Sequence, residues 1–182
     1  MTSQPDNGAL TARRAFAPKG YATLVDVGLD LDMVSPYQIA CGNPDGPVLI
    51  TYNYLDEPTA RSNAHLLKTL GYLPDMLFNR VLDRALGVAG MQRADLYVTH
   101  AFHALPPKRS STVPQRLVEE SFDAITRHEI GDRSAIALGK SAAKACKRFD
   151  IPHVAVFHPS ARGLTIAEKA QRIATALAPH AA

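Results

Sequence analysis

The sequence predicts an α/β fold, a three-layer αβα sandwich with a central, mainly parallel four-stranded sheet. Two observations carry that expectation. Short, near-continuous apolar runs alternate with helix-patterned stretches along the chain. Runs of that kind suit strands covered on both faces, as in parallel sheets.

The elements follow in order. Residues 1 to about 20 mix Pro, Gly, Asn, Ser and Arg without periodicity, which predicts a flexible N-terminal arm and leaves 21–182 as a single domain. The turn cluster Gly42-Asn43-Pro44-Asp45-Gly46 precedes a buried strand at Val48 to Thr51. From Asn63 to Gly90 apolar residues recur at three- and four-residue steps (Leu66, Leu67, Leu70, then Met76, Leu77, Val81, Leu82, Leu86). Gly71 and Pro74 break that pattern into two helices. "ADLYVTH" supplies the second strand, Pro114 to Arg127 a helix, and "SAIALG" the third strand. A helix from Ser141 to Phe149 ends at Asp150-Ile151-Pro152. "HVAVFHPS" then reads as a fourth, buried strand, and a helix at about Thr165 to Leu177 follows.

A chain of 182 residues is long enough for one domain with a core. Its 46% hydrophobic and 20% charged content is that of an ordinary globular protein. No run approaches the roughly 18 apolar residues of a membrane span, and the first residues lack an apolar signal region. A cytoplasmic, monomeric protein with no membrane contact is expected. Cys41 and Cys146 have no CxxC spacing, which excludes a disulfide framework or a four-cysteine metal or cluster site within the chain and reads as two packed thiols. The net charge of +3 favours nucleic acid only slightly over other partners.

In such a fold ligands collect at the carboxyl ends of the strands, and the unusual residues lie there. The first strand ends in Tyr52-Asn53-Tyr54-Leu55-Asp56, the second in His100-Ala101-Phe102-His103, the third in Gly139-Lys140-Ser141, the fourth in His158-Pro159-Ser160. Gly139-Lys140-Ser141 is not a P-loop, because Ser134 stands where the loop needs its first glycine. Its amides and Lys140 could still hold one phosphate of a larger ligand. No G-x-S-x-G elbow occurs, and the seven histidines are scattered, so no bound metal or other cofactor is expected.

Four blocks in order, "GNPDGPVLITYNYLDEP", "FNRVLDRALGVAGMQRADLYVTHAFHALPP", "AIALGKSAAKA" and "HPSARG", resemble the uracil-DNA glycosylase superfamily, most closely its iron–sulfur-containing bacterial and archaeal branch. The resemblance spans about Cys41 to Gly163. It implies hydrolysis of the N-glycosidic bond of a deaminated or modified base in single- or double-stranded DNA, with the nucleotide flipped out of the helix. His158 would then stabilise the departing base. Asn53 is the first choice to position water and Asp56 the second. His100, Phe102 and Tyr54 would shape the base pocket, with Tyr72 a further aromatic candidate. Ser160 and Arg162, with Lys140 and Ser141, would hold phosphate, and Leu164 would wedge the vacated stack. His103 and Arg109 are placed on the outer rim.

The sequence also departs from that pattern. The first motif lacks its opening glycine. His100 replaces the asparagine that reads uracil, and a ring cannot reproduce an amide's paired donor and acceptor. Ala104 stands where a cluster cysteine belongs, so no iron–sulfur cluster is implied. A superfamily member that binds nucleic acid as a sensor or regulator without hydrolysis is the alternative, and an enzyme of free nucleosides a third.

Overall fold

Four apolar runs become four strands in the computed structural model, which describes residues 8–181. They are β1 (Val48–Asn53), β2 (Tyr97–Phe102), β3 (Ala135–Leu138) and β4 (His153–Val156), paired in the order β2-β1-β3-β4. Every ladder is parallel, with Ile50 opposite Thr99 and Ala137, and Ala137 opposite Ala155. The sheet is therefore wholly parallel, and among the described residues two isolated antiparallel bridges, Ala22 to Leu105 and Gly42 to Tyr97, lie beside it.

Side chains alternate across a strand, and the apolar runs consequently feed two separate cores. Leu49, Val98, Ile136 and Leu138 pack with α3 (Ala64–Leu70), α4 (Leu77–Ala89) and α8 (Ile166–Leu177). Val48, Ile50, Ala135 and Ala137 pack on the other face with α5 (Gln115–Ser121) and α7 (Lys140–Arg148). That is the predicted αβα sandwich. The inner stripes of α4 (Phe78, Val81, Leu82, Ala85) and α8 (Ala170, Ile173, Ala174, Leu177) repeat at three- and four-residue steps. Each large side chain so buried is worth about 1.5–3 kcal/mol.

Three sequence expectations change. The predicted arm falls partly outside the described residues, but from Gly8 onward it is not an arm. Residues Ala9–Ala15 form α1, whose Arg13 is buried and bonded to Asp30 at 2.7 Å and to the carbonyls of Leu31 and Met33. Local composition cannot report a contact made so far along the chain. Second, β4 is an edge strand, not a buried one: Val154 and Phe157 are each more than half exposed. An apolar run reports strand propensity, and a missing fifth strand leaves one flank uncovered. Third, the helix predicted over Pro114 to Arg127 is α5, a π-helical turn at Phe122–Thr126, and α6 (Arg127–Ile130). Elsewhere Asp56 caps a further short helix, α2 (Glu57–Ser62).

Two glycines set the geometry needed below. Gly71 ends α3 at φ 80°, and a Cβ there would meet the Pro36 carbonyl oxygen at 2.1 Å. The contact seats the 3-10 turn Pro36–Ile39 against α3. Gly139 has φ 98°, and its Cβ would come within 3.1 Å of the His158 Cβ. Both positions are closed to other residues by conformation and by space. No helix among the described residues is long and apolar enough to cross a membrane.

Candidate active site

A cavity of about 200 Å³ opens at the carboxyl ends of β1 and β4. Thr51 and Asn53, two residues apart on β1, point to the same face. They line it together with His158, which follows β4. The segments after the strands and the Pro36–Ile39 turn add aromatic walls: Tyr37, Tyr52, Tyr54, Tyr72 and Phe78. Ser160 and the exposed Arg109 border it as well.

His158 is held on both ring nitrogens. The Ser160 amide donates to Nδ1 at 3.1 Å, so the neutral ring carries its proton on Nε2. Nε2 lies 3.4 Å from the Thr51 hydroxyl oxygen on the cavity wall. The ring packs against Phe78 with centroids 5.6 Å apart. Burial, with a smaller contribution from Lys169, lowers its pKa to about 4. At neutral pH His158 is an uncharged N–H donor.

The amide of Asn53 gives one hydrogen to the Leu55 carbonyl at 3.3 Å. Its oxygen has no partner among the described residues, which leaves an acceptor at the cavity wall. Asp56 also lines the cavity, but both carboxylate oxygens are occupied by Thr59, at 3.3 Å from its amide and 2.8 Å from its hydroxyl. Its local role is to cap α2. Tyr54 donates to the Gly71 carbonyl at 2.8 Å, which pins the ring upright against Tyr37.

The structure corrects the placement of other expected residues. His100 does not line the cavity: it is 2% exposed and sits behind Tyr37 and Tyr54, with Nε2 2.6 Å from the Ser35 hydroxyl and Nδ1 without a hydrogen-bond partner among the described residues. Phe102 is fully buried, packed edge-on against Phe16 and Tyr21 in the opposite core, and offers no face to a ligand. His103 is buried on Thr126 and not on a rim. Lys140, Ser141 and Arg162 are outside the lining, at the start of α7 and on the exposed loop after Ser160.

Several residues of the site were not singled out in the sequence. Tyr37 lies in an irregular segment, and Phe78 and Asn79 belong to a helix stripe that reads as core. Asn79 is a framework residue: its oxygen accepts from the Tyr37 hydroxyl and, at 3.2 Å, from Arg93, while its nitrogen donates to the Leu73 carbonyl. Arg93 in turn lies 3.8 Å over the Tyr72 ring and is tied to Asp83. The aromatic wall is thus braced from behind by an ion pair and an amide.

No protein-family model matches this chain, and a search of curated proteins returns no match.

Proposed function

We propose that this protein is a DNA glycosylase-like hydrolase that removes a deaminated or modified base from DNA, with His158 as the donor to the departing base. The observation that carries this reading is the His158 arrangement: a neutral imidazole on the wall of an aromatic cavity, whose proton is kept on Nε2 by a backbone amide on its other nitrogen. That Nε2 has only a long 3.4 Å contact to the Thr51 hydroxyl. A flipped base would lie against one of the aromatic rings that line the cavity, with its carbonyl oxygen meeting the Nε2–H. As the N-glycosidic bond breaks, its electron pair leaves with the base, and the developing negative charge is stabilised by that hydrogen bond in a largely desolvated site. Water adds to the sugar C1′, oriented by the free oxygen of Asn53. The products are a free base, which ends with the proton that water supplied, and an abasic site. The resemblance of the four sequence blocks to the uracil-DNA glycosylase superfamily supports the same chemistry. With His100 walled off, base choice falls to the groups on the cavity surface, Asn53 and Tyr52 among them.

The test is strand scission after alkali, on labelled single- and double-stranded oligonucleotides carrying uracil, hypoxanthine, xanthine or an oxidised pyrimidine. Cleavage of one substrate that His158→Ala abolishes is the expected result. One observation favours a second reading, a nucleic-acid sensor or regulator: Asp56, the one carboxylate among the described residues that line the cavity, is committed to capping α2. An amide can orient water but cannot take its proton. Binding of a modified strand with no scission at high protein concentration would establish that reading instead.

A further inference from the structure

Arg109 borders the cavity together with His158 and Ser160. It is exposed, and among the described residues it makes no hydrogen bond or ion pair. The carboxylates that follow β1 do not neutralise it: Asp56 is taken up by Thr59, and Glu57 pairs with Arg61 at 2.9 Å. Its backbone, by contrast, is fixed. The segment 107–112 begins where the Pro106 carbonyl accepts from the Glu57 amide at 2.8 Å, and it ends where the Val113 amide donates to the Tyr52 hydroxyl at 2.9 Å. Val113 itself is buried. Between those anchors the Ser111 amide donates to the Lys108 carbonyl at 3.0 Å, closing a turn whose first central residue is Arg109. Both anchors are made to the end of β1 or the start of α2, so the turn is tied to the strand that carries Thr51 and Asn53 into the same cavity.

The sheet order sets what this cation faces. β2 and β4 are the two edges of the sheet, so Arg109, on the segment after β2, and Ser160, on the segment after β4, come to one cavity from opposite edges. The Ser160 amide is used on His158, but its hydroxyl makes no hydrogen bond among the described residues and is available to the same ligand. A guanidinium without an anion, bordering a cavity with aromatic walls, suits a ligand with a flat ring inside and charged oxygens at the rim. We propose that Arg109 is a phosphate-binding residue of this site, its guanidinium receiving a phosphate of a nucleotide whose base lies in the cavity. The cavity then takes nucleotides, within a strand or free, and discriminates against unphosphorylated nucleosides. Only the choice of a DNA strand over a free nucleotide rests on the function proposed above. Because the turn is held at both ends, binding orders one side chain and not a whole segment, which keeps the cost of capture low.

The experiment follows the Arg109 Nε–H signal by NMR in the full chain. One set of ligands is short single-stranded oligonucleotides carrying uracil or hypoxanthine on a 2′-fluorinated sugar, which slows loss of the base. The other is deoxyuridine and deoxyinosine with their 5′-monophosphates. Oligonucleotide affinity is measured over a salt series for wild type, Arg109→Met and Arg109→Lys. The expected result is a saturable shift of Arg109 with an oligonucleotide, and a slope of log affinity against log salt that falls by about 0.7 in Arg109→Met and is restored in Arg109→Lys. If no oligonucleotide binds but a monophosphate moves Arg109 and binds more tightly than its nucleoside, the phosphate site stands and the DNA reading falls. Three outcomes would overturn the proposal: an oligonucleotide that binds wild type and Arg109→Met with the same salt slope, a nucleoside that binds as tightly as its monophosphate, or no phosphorylated ligand that moves Arg109. The Val113 amide signal, set by its bond to Tyr52, shows whether each variant keeps the turn in place.

Discussion

The ends of β2 and β4 each carry a histidine that burial holds neutral, and the two are used in opposite ways. His158, after β4, has one nitrogen fixed by the Ser160 amide and the other turned to a cavity. His100, in β2, has one nitrogen on Ser35 and the other without a partner among the described residues, closed in by Tyr37 and Tyr54. The difference does not come from the strands, which run parallel in one sheet. It comes from what is laid over their ends: a 3-10 turn and two tyrosines over β2, and after β4 Phe78 on one side of the ring with the cavity beside it. A strand-end position defines where a side chain starts, and the covering elements decide whether it meets a ligand.

Four measurements would break or sharpen that contrast. The largest effect is expected at the sealed end, where Phe102→Ala should cost about 3–5 kcal/mol of stability in urea unfolding, as for other fully buried aromatics. A loss below 1 kcal/mol would mean that Phe102 is not core. At the open end His158→Ala should leave the urea midpoint nearly unchanged and slow base release by about 100- to 1,000-fold, the usual effect of losing one donor to a developing anion. Next, diethyl pyrocarbonate should modify His158 readily and His100 only after Tyr54→Ala opens the wall; equal reactivity in the wild type would abolish the distinction. The smallest effect concerns Glu129, which lies apart from both ends, bonded by Tyr97, Thr99 and Gln38. Burial raises its pKa to about 7 despite those bonds. The native state therefore keeps a proton that the unfolded chain releases near 4.5, and stability falls as pH rises from about 4.5 to about 7. His158 acts in the opposite sense: the unfolded chain takes up a proton below about 6.5 and the native state only near 4, so stability falls as pH drops through that range. The two effects oppose each other where their ranges overlap. Glu129→Gln should therefore remove the fall in stability as pH rises to about 7 and unmask the His158 loss, a stability that drops more steeply as pH falls from about 6.5 to about 4.

Most of the fold was legible because apolar periodicity reports local structure and burial together. The runs at Val48, Tyr97 and Ala135 became strands, and the stripes of α4 and α8 became helices with the expected faces. The site was legible only where backbone direction dictates it. Asn53, Asp56, Tyr54, His158 and Ser160 reach the cavity because they sit at or just past strand ends. Arg162 and Lys140 lie at similar positions and do not. His100 and Phe102 were misplaced because the sequence does not say which aromatic ring will lie across a strand end. Tyr37 reaches β2 only because Gly71 lets the Pro36–Ile39 turn approach α3. Phe78 and Asn79 serve cavity and core at once, and nothing in a helix stripe separates those uses.

The bond from the Ser160 amide to His158 Nδ1 has one more consequence. The group that selects the imidazole tautomer is a peptide N–H, so the selection is indifferent to the side chain at position 160. Ser160→Ala should leave the ring's proton on Nε2. Ser160→Pro, which has no amide hydrogen to give, would free Nδ1 and let the two tautomers compete, and ¹⁵N shifts of the His158 ring would record the change before any substrate is added.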